Sequence, residues 1–131
     1  PVLAALRQDG HQLAVLTNKD ERIARQLIDH FYPDTFEPVY GMREGRAAKP
    51  DPSTALRICE EWGVRPAKVC FVGDSQPDMQ TAVNAGMVPV GVGWGFRDAV
   101  TLRRAGALII AESPADLLYD LTGRRNDKEW D

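Results

Sequence analysis

The chain holds 131 residues, 27% of them charged and 44% hydrophobic, with a formal net charge of −3. That length suits one domain whose core needs neither disulfides nor a structural metal. The acidic balance without a basic stripe argues against nucleic acid, no apolar run reaches the roughly 18 residues of a membrane span, and the first residues lack a signal-peptide pattern.

In chain order, residues 2–9 read as a helix stopped by Gly10, and 12–17 (QLAVLT) as a strand. Residues 20–31 place Ile23, Leu27, Ile28 and Phe31 on one helical face, which is expected to be the buried one. A short strand at 38–41 leads into the polar loop MREGRAA, in which Arg43, Glu44 and Arg46 are expected to be solvated. Asp51 and Pro52 open the next helix as cap and first turn, with Ala55, Cys59 and Trp62 inward and Gly63 as the stop.

The apolar run at 68–72 reads as a buried strand, turned by Gly73-Asp74-Ser75 into a helix over 77–85 that ends at Gly86. A strand at 88–92, the loop GWGF, a helix near 98–105 and a strand at 107–111 follow. Ser113 with Asp116 three residues later signals the last helix, and residues 122–131 form a polar tail. Strands alternating with helices predict an α/β fold with a parallel sheet covered by helices on both faces. One domain is expected over 1–121, followed by the 122–131 tail.

Cys59 and Cys70 both fall at apolar positions and are expected to be small core hydrophobes. Without a CxxC pair or a Cys/His cluster, zinc is not indicated. A reducing, cytoplasmic location is the expectation. His11 and His30 receive no role. Trp94 and Phe96, between glycines, either line a pocket or pack over the sheet edge.

Ligands of such a sheet bind beyond the carboxyl ends of the strands. Thr17 and Asn18 end one strand, Asp74 ends another, and Lys49 closes the loop after a third, so three separated segments converge at one edge. Asp74 and Asp78, four residues apart at a strand-to-helix turn, suit a hard cation such as Mg²⁺, which takes a few oxygen ligands and keeps several waters. Singly these residues have plainer readings, since Asp74 could cap the helix and Asp78 could complement its dipole.

Together, LTNK, KPDP and GDSQPDM resemble the haloacid dehalogenase (HAD) phosphohydrolases. Three of that family's four motifs are matched in order: Thr17 at a strand end, Lys49-Pro50, and Gly73-Asp74 with Asp78. TAVNAGM, VGVGWGF and SPADLL look like its phosphoglycolate-phosphatase-like branch, and the resemblance runs from about residue 1 to residue 121. It implies a Rossmann-like core and a Mg²⁺-dependent phosphatase acting on a small phosphorylated metabolite. Thr17 and the Asn18 N–H would bind phosphate, and Lys49 would neutralise it. Asp74 would bind the metal, while Asp78 would hold a metal-bound water or orient Lys49. Ser75 would present backbone at the helix N-terminus.

The family's first motif, DxDG[TV], supplies the nucleophilic aspartate, and no such sequence occurs in these 131 residues. Nor is the family's helical cap present. Covalent phosphoryl transfer requires that nucleophile, so the chain alone is expected to be inactive. In the fold so implied, the first-motif strand lies between those ending at Thr17 and Asp74. Its absence is expected to leave two strands about 10 Å apart, with unpaired edges. An N-terminal segment of a longer product, or a second chain, would fill the gap.

The alternative from another class is a non-catalytic HAD-like module that binds phosphate, metal or a partner. A receiver-like domain fits worse, because receivers place the acidic pair early and the lysine late. The metal-independent dehalogenases fit the GDSxxD pattern less well.

Overall fold

The computed structural model describes residues 2–93 and 99–122. Among these, helices α1 (Val2–Gln8), α2 (Glu21–Phe31), α3 (Ser53–Trp62), α4 (Gln76–Ala85), α5 (Ala99–Arg104) and α6 (Pro114–Thr122) alternate with strands β1 (Val15–Asp20), β2 (Val39–Met42), β3 (Cys70–Gly73), β4 (Val88–Val92) and β5 (Ile109–Ala111). The helix stops follow the sequence. Gly63 and Gly86 close α3 and α4 at φ 68° and 75°, a left-handed conformation that glycine adopts without a Cβ penalty. Ser113 caps α6, its hydroxyl accepting from the Asp116 N–H at 3.1 Å. The α3 start shifts by one residue, because Asp51 accepts from the Ser53 N–H at 2.8 Å and Pro52 becomes the N-cap.

Every strand pair is parallel, yet the strands form two sheets, β1–β2 and β3–β4–β5. β1 and β3 are not bonded to each other, as the absent-strand expectation required. Helices carry the connection instead. Ala55 and Cys59 of α3 and Ala82 and Ala85 of α4 form one core cluster, against which Leu16 of β1 and Phe71 of β3 both pack. Met79, Leu102 and Ala107 form a second cluster beneath β4 and β5.

Three expectations are corrected. On α2 the buried residues are Glu21 and Ala24 and Ile28 is half-buried, while Ile23, Leu27 and Phe31 lie 55%, 43% and 64% exposed. Glu21 points at the end of β2, and that contact sets the roll of the helix. Cys59 is buried as expected, but Cys70 is exposed. It shares one face of β3 with Val72, also exposed, so that face is uncovered among the described residues and β3 is not a fully buried strand. Trp62 is only half-buried, its indole N–H donating to the Glu37 carbonyl at 3.1 Å. Trp94, Phe96 and residues 123–131 lie outside the described residues.

Candidate active site

The turn after β3 is built for close approach. A Cβ on Gly73 would lie 2.4 Å from the Asp78 Cβ and 2.5 Å from its Oδ2, so only glycine lets the Asp78 carboxylate sit under the turn. Ser75 is the N-cap of α4, its hydroxyl accepting from the Asp78 N–H at 3.3 Å. The capping role open to Asp74 therefore belongs to its neighbour, and Asp74 stands one residue outside the helix, at the end of β3.

Four of the five candidate residues join in one chain of hydrogen bonds. The Asn18 side-chain oxygen accepts from the Lys49 backbone N–H at 3.0 Å. The Lys49 ammonium donates to Asp78 Oδ1 at 2.6 Å and to the Leu16 carbonyl at 3.4 Å. Asp78 Oδ2 in turn accepts from the Asp74 N–H at 3.2 Å. Lys49 thus touches β1 through Leu16 and α4 through Asp78, standing where the two sheets face each other. Both side chains of the ion pair are nearly buried, 13% and 11% exposed. Thr17 lies between Leu16 and Asn18, its Oγ1 accepting from the Lys19 N–H at 3.1 Å, which leaves its own proton for another acceptor.

Glu21 was not singled out from the sequence. It is 8% exposed and takes four partners: the Gly41 N–H at 3.2 Å, Arg43 at 3.4 Å, Arg25 at 3.8 Å and a short bond from Arg46. Burial alone would raise its pKa. The Arg46 hydrogen bond, the Gly41 N–H and the arginine charges overcome that and hold the carboxyl below its ordinary value. Arg46, expected to be solvated, is 11% exposed and lies 4.5 Å over the Tyr40 ring. Gly41 is also obligatory, since a Cβ there would come within 2.5 Å of the Lys19 carbonyl oxygen. Glu21 thereby ties the start of α2, next to Thr17 and Asn18, to the loop that delivers Lys49. An acidic residue in a helix first turn reads locally as a dipole complement. Its partners at 41, 43 and 46 become visible only once β1 and β2 pair.

The oxygen donors bear on the metal. Among the described residues no three His, Cys, Asp or Glu side chains gather at one point. Both Asp78 oxygens are engaged, one by Lys49 and one by the Asp74 N–H. Asp74, next after β3, is the other carboxylate of the candidate pair. One carboxylate supplemented by waters and a substrate phosphate is a normal environment for Mg²⁺, so the donor set fits that ion.

The sequence model of the family described as haloacid dehalogenase-like hydrolase matches residues 1–92. The phosphoglycolate phosphatase of Pseudomonas putida is 36% identical over 117 residues, covering 88% of this chain and 40% of that protein. That of Pasteurella multocida is 34% identical over 119 residues, covering 90% of this chain and 50% of that one. A Lactobacillus delbrueckii crystal structure, solved as a candidate phosphoglycolate phosphatase, superposes with a TM-score of 0.88 at 32% identity, over 94% of this chain and 52% of that one. The chain spans about half the length of the relatives it matches.

Proposed function

This chain belongs to the haloacid dehalogenase-like hydrolases, and from that premise we propose that it forms the phosphate- and metal-binding half of a Mg²⁺-dependent phosphatase acting on a small phosphomonoester, phosphoglycolate being the model substrate. The observation that carries this reading is the bonded chain Asn18–Lys49–Asp78–Asp74, which gathers three sequence-distant segments at the strand ends.

In the proposed reaction the Thr17 hydroxyl and the Asn18 N–H hold non-bridging phosphate oxygens. Lys49, as a compact point charge, neutralises the phosphate. Asp78 keeps that ammonium aimed, and Asp74 contributes a carboxylate to the metal. Mg²⁺, when bound, supplies further charge neutralisation at the phosphate, where catalysis is mostly positioning and electrostatics. The aspartyl-phosphate requires a nucleophile that is not among these 131 residues, and an N-terminal segment or second chain supplies it. No described helix is long and apolar enough to cross a membrane, and a cytoplasmic location with neither nucleic-acid nor membrane partner fits the acidic, disulfide-free chain.

The test joins the chain to the amino-terminal half of the Pasteurella relative and assays phosphoglycolate hydrolysis. The chimera should turn over while the chain alone does not, and Lys49→Met or Asp74→Asn should cost at least about a hundredfold. A well-folded chimera without activity would instead favour a non-catalytic phosphate- or metal-binding module, the reading that the absent DxDG[TV] motif supports.

A further inference from the structure

A second cluster of cations lies away from Thr17, Lys49 and Asp74. Arg43, Glu44, Gly45, Arg46 and Ala47 face the first turns of α3 at Ser53, Thr54 and Arg57 across an open cleft of about 420 Å³. None of the five candidate active-site residues lines it. Three arginines line it with one carboxylate, Glu44, while Glu21 pairs with Arg43 and Arg46 and Glu61 pairs with Arg57.

The guanidinium groups are braced from behind. Arg46 is turned inward onto Glu21 and the Gly41 carbonyl. Arg43 reaches Glu21 through Nη1, and Arg57 reaches Glu61 through Nε at 3.3 Å. The Arg57 guanidinium also lies 5.5 Å from the Tyr40 ring centroid. These contacts fix the arginines without exhausting them, since a guanidinium carries five N–H donors. The Arg57 terminal nitrogens and Arg43 Nη2 have no acceptor among the described residues. Both side chains remain about 60% exposed at the cleft rim.

The floor points to a ligand independently. Thr54 is 5% exposed and lines the cleft, yet its hydroxyl has no hydrogen-bond partner among the described residues. Buried hydroxyls are normally paired. The α3 N-terminus adds nothing here, because the Asp51 carboxylate already accepts from the Ser53 N–H there.

We propose that this cleft is a second oxyanion site, which takes inorganic phosphate on the Thr54 hydroxyl and the Arg43 and Arg57 guanidinium groups. The site shares no residue with the proposed phosphatase machinery and stands without it.

The experiment is a phosphate titration of the full chain followed by NMR at the Thr54 amide and the Arg57 Nε–H, against a sodium chloride series of equal ionic strength. Saturable shifts are expected at both groups with a Kd on the order of millimolar. They should persist in Thr17→Val and weaken about tenfold in Arg57→Gln. Thr54→Val, close to isosteric, tests the floor without touching the Tyr40 stack and should weaken binding in the same sense. Shifts reproduced by sodium chloride, shifts confined to residues 17, 18 and 74, or affinity unchanged in both variants would each overturn the proposal.

Discussion

At the scale of single residues, Lys49 and Asp78 do most of the joining. Their ion pair is nearly buried, and removing one partner leaves a charge that has lost both water and counter-ion. Asp78→Asn should therefore destabilise the fold by about 3 kcal/mol in urea titrations, with a smaller loss if water enters at Lys49. Mg²⁺ should raise the melting temperature slightly, and Asp74→Asn should abolish the rise. An equal shift in that variant would remove Asp74 as a ligand. Glu21 sets a pH dependence. Its folded pKa lies below the ordinary 4.5, so between the two values the unfolded chain binds more protons and stability rises with pH. The contribution is complete above about pH 4.5 and is lost as pH falls through the folded value. Glu21→Gln should flatten that part of the stability curve. The convergence of Asn18, Lys49, Asp74 and Asp78 was legible because their motifs are local. Glu21 and Arg46 were not, because each looks like an ordinary surface charge until a partner 25 residues away arrives.

At the scale of elements, stops and caps were easier to read than faces. Glycine stops and serine caps act through the backbone within four residues, so Gly63, Gly86 and Ser113 are local facts. The roll of α2 depends on what lies beneath it, here a two-stranded sheet whose end is claimed by Glu21, and the period of Ile23, Leu27 and Phe31 pointed to the wrong face. The consequence is measurable by urea denaturation. Phe31→Ser should change stability by no more than about 0.5 kcal/mol, whereas Ala24→Leu, at a position 5% exposed, should cost about 1–3 kcal/mol by overpacking. The reverse order would restore the apolar face to the core. Cys70 was misplaced for a related reason: an apolar run does not say whether both faces of a strand are covered.

At the scale of the whole molecule, the α/β class with parallel strands followed from the alternation of elements, while the division into two sheets was legible only through the family resemblance, which named a strand between those ending at Thr17 and Asp74. Core packing by α3 and α4 and the Lys49–Asp78 bond hold the halves together across that division. A peptide bearing the DxDG[TV] strand of a relative should pair with the facing edges and raise the melting temperature by several degrees if it contributes about 1 kcal/mol, and no response at saturation would close the slot. The uncovered face of β3 also has a practical use. Of the two cysteines, Cys59 is buried and Cys70 is exposed, so a maleimide dye can address one thiol in the native chain. A fluorophore at that position, on a strand facing the division, would brighten or shift in colour as a strand docks, turning the chain into its own optical reporter of assembly.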